Sequence, residues 1–340
     1  MNNQESIHSY NSLHPSSAKN LSHSTKSLPM MEEISPRWLL NFLPWISVEA
    51  GVYKINKRRK LNLDLSKEEY ETSTYKSCIT NEYGEKIIKL NTHNLGEHDL
   101  PHTFPDYEET PQNRTLNIIH TNLRVNTQIS DIFNHPINQL EQQMRLTIEA
   151  MKEKQEWEIV NNRDCGLLHS AHHSMRIKPK AGSPTPDDMD ELLSLVWKKP
   201  AFFLAHPKAI TAFGRECTRR GVPPASINLY GSPFLTWRGV PIVPCDKLLI
   251  NDKSNHRGSQ GTTNILLMRV GEKEQGVIGL HQPGLPDETS TPSLSSKFAG
   301  IDSTGIASYI LNLYFSTAVL TDDALGILQD VEVGKYHEYK

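Results

Sequence analysis

The longest helical pattern in the sequence runs from His135 to Asn162, and it constrains the fold more than any other stretch. Pro136 suits the first position of a helix. Apolar residues then recur at spacings of three and four, which predicts an amphipathic helix with one buried face. The residues of this face are Ile137, Leu140, Met144, Ile148 and Met151. From Pro136 to Val160 the helix would span roughly 37 Å, so we expect a rod on which other elements pack.

Composition limits the class of protein. The chain has 340 residues, with 36 Lys and Arg against 39 Asp and Glu and a formal net charge of −3. This balance argues against a strongly basic nucleic-acid-binding protein and gives no reason to expect a membrane partner. The four cysteines are scattered and form no Cys-x-x-Cys pair, which favours reduced thiols over a disulfide framework. No segment approaches the roughly 18 apolar residues of a membrane span. We expect a soluble cytoplasmic protein.

The N-terminal third divides into three stretches of different composition. Residues 1–35 are rich in Ser, Asn, His and Lys, which predicts a disordered arm. An apolar segment with two of the five tryptophans follows, and it must pack either on its own domain or on a neighbouring subunit. Its apolar residues are Trp38, Leu39, Phe42, Leu43, Trp45 and Ile46. Residues 61–114 are polar and long for a loop, which indicates either disorder or an extended arm with partners outside its domain.

Strand patterns flank the long helix and recur late in the chain. Alternation of apolar and polar residues from Ile119 to Val125 predicts a strand just before the helix. A similar alternation from Tyr309 to Val319 predicts a long late strand, and Ala201–Ala205 is typical of a short buried strand.

Three further helices are predicted from their start signals. Thr185 can cap a helix that begins with Pro186, and Pro207 begins another. Thr321, followed by two aspartates, predicts a short terminal helix that contains Leu325 and Leu328. Because helices and strands are mixed rather than arranged in βαβ repeats, the fold class is α+β.

The sequence contains no recognisable catalytic constellation. Dinucleotide-binding, phosphate-binding, serine-hydrolase, zinc-protease and calcium-binding motifs are all absent from it. Asp322 and Asp323 are adjacent carboxylates that helix capping explains, and Cys217 lies on the apolar face of its predicted helix. We therefore expect a structural protein without catalytic activity, cofactor or resident metal.

One histidine cluster offers an alternative. His169, His172 and His173 have a spacing that, on a helix, could present two imidazoles to one metal ion. A metal-dependent hydrolase is the corresponding enzyme hypothesis. The cluster has no nearby Glu in a His-Glu-x-x-His arrangement and no matching Cys or Asp, so a metal site is the less favoured interpretation.

From about residue 36 to the C-terminus, the sequence resembles family 2A encapsulin shell proteins. This family includes the cyanobacterial and mycobacterial proteins once described as major membrane protein I. The stretches that carry the resemblance are PRWLLNFLPWISVEAGVYKIN, QQMRLTIEAMKEKQEWEIVN, TPDDMDELLSLVWKKPAFFLAHPKAITAFGRE, RGVPP, TWRGVPIVPCDK and LTDDALGILQDV.

The resemblance implies the Hong Kong 97-type phage-capsid fold, with its N-arm, E-loop, peripheral domain and axial domain. Asp131–Asn162 would be the spine helix. The implied segments are a disordered arm at 1–35, the N-arm at 36–65, the E-loop at 66–125, the peripheral domain at 126–186, the axial domain at 187–295, and a C-terminal strand and helix at 296–340.

The resemblance also implies a function. Family members self-assemble, commonly as about 60 copies, into an icosahedral nanocompartment with an enzyme cargo. The usual cargo is a cysteine desulfurase, so pyridoxal phosphate is expected only on the cargo, and the implied role is in sulfur metabolism or storage. Nucleic acid and membrane are not expected partners. The alternative with the same fold is a phage or prophage major capsid protein that packages DNA.

Two sets of residues are implied to act in assembly. The N-arm residues expected to contact a neighbouring subunit are Trp38, Leu39, Phe42, Leu43 and Trp45. The residues expected to line a five-fold pore are Arg219, Arg220, Gly221, Val222, Pro223 and Pro224. The two arginines would favour small anions in a pore, and the alternative interpretation is that they complement the C-terminus of a helix.

Overall fold

The computed structural model describes residues 36–48, 51–57, 110–126, 139–251, 261–285 and 293–334, with single residues 85, 88, 90 and 102. The predicted arm at 1–35 and most of the predicted E-loop lie outside these residues. The helices are α1 (Trp38–Phe42), α2 (Gln139–Asn161), α3 (Leu167–Ser170), α4 (Pro186–Leu195) and α5 (Pro207–Arg219). Single 3-10 turns occur at His173–Met175 and Asp322–Ala324.

The strands fall into three sheets. In chain order they are β1 (Trp45–Ser47), β2 (Val52–Ile55), β3 (Gln112–Thr115), β4 (Asn117–Asn126), β5 (Arg176–Ile177), β6 (Phe202–Ala205), β7 (Ala225–Leu229), β8 (Ser232–Trp237), β9 (Val240–Pro244), β10 (Thr262–Met268), β11 (Val277–His281), β12 (Leu294–Ile301), β13 (Ile306–Val319) and β14 (Leu325–Glu332). One sheet has the order β5-β14-β10-β6-β9-β8-β7. In the second sheet, β13 pairs with β4, β12 and β11, and β11 also pairs with β1. The third sheet consists of β2 and β3.

The long late strand is confirmed as β13, and it organises the five-stranded sheet. Its residues from Ala307 to Leu313 pair with β12 and also with β4, so these two strands flank it. The predicted strand before the long helix is confirmed as β4. Its pairing with β13 runs from Asn117 to Asn126.

The seven-stranded sheet is covered on both faces. Successive side chains of a strand point to opposite faces, and in β6 this separates Phe202 and Leu204 from Phe203 and Ala205. The first pair belongs to a core with residues of α1 and α2, and the second pair to a core with residues of α4 and α5. All four residues of β6 are buried, which confirms the predicted buried strand.

The strongest helix predictions are confirmed. The long helix is present as α2, and residues 135–138 of the predicted span lie outside the described residues. Ile148 and Met151 are buried on its apolar face. At α4 the Thr185 side chain accepts a hydrogen bond from the Asp188 backbone N–H, and the Asp188 carboxylate accepts one from the Thr185 backbone N–H, a complete capping box. Helix α5 begins at Pro207 as predicted.

The predicted terminal helix is wrong. Only the single 3-10 turn Asp322–Ala324 forms there, and Leu325–Glu332 is strand β14, which pairs with β10. Leu325 and Ile327 contribute to one core and Leu328 and Val331 to the other. A short apolar run buried on both sides cannot be assigned to helix or strand by periodicity alone, and the neighbouring β10 decided the outcome.

A buried ion pair lies where the chain crosses between the two large sheets. The β10–β11 and β13–β14 connections both cross there, and the Arg269 backbone N–H donates to the Ala324 carbonyl at 2.9 Å. The Arg269 guanidinium is 2% exposed and donates to the Asp323 carboxylate at 2.7 Å and to the Thr321 hydroxyl at 2.8 Å. Asp323 therefore acts as the counterion of a buried arginine, not as a helix cap.

The pKa of Asp323 reflects this environment. Burial alone would raise it, but hydrogen bonds from Arg269 and Thr321, together with the charges of Arg269 and Lys198, hold the pKa below its usual value. A carboxylate with a lowered folded-state pKa stabilises the fold above its unfolded-state pKa of about 3.9, and this contribution is lost as pH falls through the folded-state pKa.

We predict that Asp323→Asn lowers the free energy of unfolding at pH 7 by about 3–5 kcal/mol, because it leaves a buried guanidinium without a counterion. Guanidinium chloride denaturation followed by tryptophan fluorescence would measure this loss. The difference from the parent should shrink as pH falls through the folded-state pKa of Asp323. Asp302→Asn is the matched control, because Asp302 forms an exposed ion pair with Arg124 and should cost less than about 1 kcal/mol. Equal effects of the two variants would contradict the prediction.

Candidate assembly surfaces

The short helix α1 packs its aromatic side chains on the β7–β8 hairpin of its own chain. The Trp38 ring lies edge-on to Phe234, with 5.0 Å between ring centroids. Phe42 contacts Phe202 and Tyr230, each at 5.3 Å. Aromatic pairs at such distances and angles stabilise a contact beyond the area that they bury. This aromatic cluster therefore fixes the helix against the seven-stranded sheet.

The rest of the apolar segment enters the core. Leu39 and Leu43 are 0% and 2% exposed. Trp45 lies in β1, which runs parallel to β11, and its indole N–H donates to the Leu40 carbonyl at 2.9 Å. The Trp45 ring lies over Gly279, where an added Cβ would stand only 2.7 Å from a ring carbon. The Trp45 indole fits here because Gly279 has no side chain.

Charged groups hold the start of α1 against α2. Arg37 lies 3.4 Å from the carboxylate of Glu156, which is 3% exposed, and 3.7 Å from that of Glu153. Burial raises the pKa of Glu156, and the nearby Arg37 only partly offsets this rise. Lys247 donates to Glu153 and Asp246. The hydrogen bond from Lys247 lowers the pKa of Glu153.

The five N-arm residues predicted from sequence thus come together on their own chain. Of the two interpretations left open by the sequence, packing on the same chain is the one that the structure contains. Contact with a neighbouring subunit stays a prediction. No local pattern pointed to Arg37, Glu156 or Tyr230, because these residues acquire their roles only through partners that are distant in the sequence.

The predicted pore residues run from Arg219, the last residue of α5, into the loop that follows this helix. Arg219 donates to the Glu216 carboxylate at 2.7 Å, and Arg220 donates to Asp187 at 2.7 Å. Hydrogen bonds to Asp187 raise the pKa of Arg220. Gly221 has φ of +70°, and the Val222 backbone N–H donates to the Cys217 carbonyl at 3.0 Å, as expected at a helix C-terminus.

The contacts of this loop are compatible with both predicted roles of its two arginines, at a pore and at a helix C-terminus. Arg219 pairs with Glu216 of α5 and Arg220 with Asp187 of α4, so both guanidinium groups have partners on their own chain. The Arg219 side chain is nevertheless 47% exposed and Val222 is 46% exposed, so the loop also presents a surface. Its place at a pore stays a prediction. Cys217 is fully buried as predicted, and burial raises the pKa of its thiol to about 11.

The histidine cluster does not form the predicted helical arrangement. His169 lies in α3, which ends at Ser170, whereas His172 has an extended backbone and His173 begins a 3-10 turn. Within the described parts of the chain, the group whose ligand atoms could meet at one metal ion is instead Glu156, Cys245 and Asp246. Burial raises the pKa of the Cys245 thiol to about 12.

Comparison with known proteins identifies the family. A model of the SrpI-like type 2A encapsulin shell proteins matches residues 73–335. The type 2A encapsulin shell protein SrpI of Synechococcus elongatus is 46% identical over 323 residues, which are 95% of this chain and 95% of that protein. The chain belongs to the type 2A encapsulin shell proteins. The type 2A shell protein of Mycobacterium leprae is 45% identical over 324 residues, again 95% of each chain.

Solved structures agree with this membership. The encapsulin chain resembles the cryo-electron microscopy structure of the holo-SrpI encapsulin complex from Synechococcus elongatus with a TM-score of 0.72 and 43% identity, over 97% of this chain and 99% of that one. A Microbacterium phage Oxtober96 chain matches with a TM-score of 0.55 at 10% identity, over 89% of this chain and 95% of that one. The phage likeness shows the fold alone and confirms the predicted capsid fold.

The homologues of this encapsulin are named as shell proteins and not as enzymes. Among the helices that the structure describes, none is both long and apolar enough to cross a membrane.

We predict that Gly279→Ala loosens the N-arm of the encapsulin. The added methyl group would meet the Trp45 ring, and such overpacking costs typically about 1–3 kcal/mol of unfolding free energy. Tryptophan fluorescence should shift to longer wavelength as the indole becomes solvated. The matched control is Gly214→Ala in α5, where an added Cβ meets nothing within 4 Å and removal of a helix glycine should stabilise by about 0.5–1 kcal/mol. An unchanged Gly279→Ala spectrum and stability would contradict this packing role.

Proposed function

We propose that about 60 copies of this chain assemble into a closed icosahedral shell that encloses a cargo enzyme. The observation that carries the proposal is the 46% identity to a shell protein over 95% of both chains. The structural likeness to the chain of a holo-SrpI encapsulin complex supports the same conclusion. Closed symmetry makes many modest contacts cooperative, so a shell needs no single strong interface.

We assign the parts of the shell subunit as follows. Residues 36–65 form the N-arm, 66–125 the E-loop, 126–186 the peripheral domain with α2 as spine helix, and 187–295 the axial domain. Residues 296–340 complete these domains. Strands β6 to β10 support the axial assignment because all lie within 187–295 and in one sheet, to which the C-terminal strand β14 also belongs.

The N-arm is proposed to act between subunits. On the same chain its apolar residues pack with residues of α2 and of the β7–β8 hairpin, and in a domain-swapped assembly the arm of a neighbouring copy would make the same contacts. Trp38, Leu39, Phe42, Leu43 and Trp45 would then be the exchanged residues. The loop from Arg219 to Pro224 is proposed to line the five-fold pore.

The cargo is proposed to be a cysteine desulfurase, with pyridoxal phosphate bound to that enzyme only, and the role to be in sulfur metabolism or storage in the cytoplasm. This part of the proposal rests on the family resemblance. A DNA-packaging capsid has the same fold, but the support for it is a fold likeness at 10% identity, whereas the similarity to encapsulins extends to sequence.

Native purification would test the proposal. We expect uniform hollow particles by negative-stain electron microscopy, an absorbance ratio at 260 and 280 nm typical of protein, and a co-purifying cysteine desulfurase by mass spectrometry. Particles filled with DNA would indicate the phage capsid instead. A different co-purifying enzyme would contradict the proposed cargo but not the proposed shell. A monomer or dimer would contradict the proposed shell.

We predict that Arg219→Glu slows the entry of small anions into purified shells severalfold relative to a neutral solute of similar size, because a ring of carboxylates would repel them. Stopped-flow quenching of a dye enclosed in the shell would measure both rates. Arg238→Glu is the matched control: like Arg219, Arg238 is exposed and pairs with a carboxylate, that of Asp190, but it lies outside the loop. If the ratio of the anion entry rate to the neutral-solute entry rate is unchanged, Arg219 does not line the pore.

A further inference from the structure

Strand β7 is the terminal strand of the seven-stranded sheet. It pairs on one side with β8, and no strand within the described residues pairs with its other side. Four of its five residues, Ala225 to Asn228, are exposed. An edge strand of this kind displays a row of backbone N–H and C=O groups that can pair with another strand.

The sequence of β7 does not protect this edge. Proteins usually block pairing at an exposed edge with lysine, proline, a bulge or a covering element. The strand reads Ala-Ser-Ile-Asn-Leu, without charge or proline, and its pairing with β8 runs from Ala225 to Leu229 without a shift in register. The edge is thus straight, neutral and suited to accept a strand.

The turn before β8 defines which backbone groups are free. Tyr230 and Gly231 both have positive φ, at 50° and 75°, as in the tight two-residue turns of hairpins. Leu229 and Ser232 flank this turn and form a hydrogen-bonded pair. Along two antiparallel strands, such pairs alternate with pairs whose backbone groups point away from the partner strand. Asn228 is paired with Pro233, which has no N–H to give. Ser226 and Asn228 therefore direct their N–H and C=O groups outward.

The side chains of β7 extend an apolar surface to the same edge. Ile227 lies opposite Phe234, and residues directly opposite each other share a face of the sheet. Phe234 is 3% exposed beneath Trp38 and Phe42, whereas Ile227 remains 43% exposed. Ile227 is therefore an exposed apolar side chain at the border of the aromatic cluster, and an added strand would bury it.

We propose that β7 is an interface strand that pairs through its backbone with an edge strand of a second copy of this chain. The inference rests on the proposed shell, because a shell brings many copies into contact. The occupant is a second copy for two reasons. The strand follows directly from the Arg219–Pro224 loop, where copies would converge at the proposed pore. A neutral edge also offers no charge by which to select a charged peptide.

The decisive variant is Asn228→Pro. Proline fits an edge strand when its N–H would have faced outward, so the β7–β8 hydrogen bonds survive while the outward donor is lost. Asn228→Thr is the matched control, because it changes the same side chain and keeps the N–H. Dissociated subunits would be reassembled at a series of concentrations and followed by size-exclusion chromatography with light scattering.

We expect the midpoint concentration for assembly to rise about tenfold for Asn228→Pro, the effect of losing roughly one hydrogen bond at each contact. Asn228→Thr should assemble as the parent does. Assembly of the proline variant at the parental concentration would overturn the inference.

Hydrogen exchange on the parent keeps the inference testable if the proline variant fails to fold. The amides of Ser226 and Asn228 should exchange at least about tenfold more slowly in shells than in dissociated subunits. Equal exchange would overturn the inference, as would slow exchange that disappears from shells prepared without cargo, because a cargo strand would then be the occupant. If the parent forms no particles, the proposed shell fails; if it does and β7 stays unprotected, only the edge inference fails.

Discussion

The buried pair of Arg269 and Asp323 holds the two large sheets in one arrangement. Two of the chain connections between the sheets, β10–β11 and β13–β14, pass this point, and the guanidinium binds the carboxylate, the Thr321 hydroxyl and the carbonyl of Lys198. Two charges removed from water cost free energy unless their geometry satisfies both. The main effect of the pair is therefore to specify how the two sheets are arranged, because other arrangements would leave one of the two charges buried without its partner.

The continuous core depends on that arrangement. One apolar cluster includes residues of α1 and α2 together with strands from both large sheets, among them Leu266 from one and Leu313 from the other. A rotation of one sheet against the other would open this cluster. For a shell subunit this rigidity matters, because closure requires each copy to present its contacts at the same angles.

The N-arm and the β7 edge meet in one aromatic cluster. Trp38 and Phe42 contact Tyr230 and Phe234 of the β7–β8 hairpin. Any movement of the arm away from the hairpin would therefore remove support beneath the edge strand. The structure thus couples two proposed subunit contacts through side chains that lie far apart in the sequence.

Elements that rest on local signals could be predicted from the amino-acid sequence. The apolar periodicity of α2, the capping box of Thr185 and the alternation of β13 are each encoded within a short stretch of residues. The family could also be predicted, because long uninterrupted motifs carry the resemblance. Three features depend instead on the three-dimensional arrangement: the strand at Leu325–Glu332, the role of Asp323 as a counterion and the open edge of β7. Those outcomes depend on partners 50 or more residues away, such as Arg269 for Asp323, or on which strands pair at all, and local pattern does not encode long-range pairing.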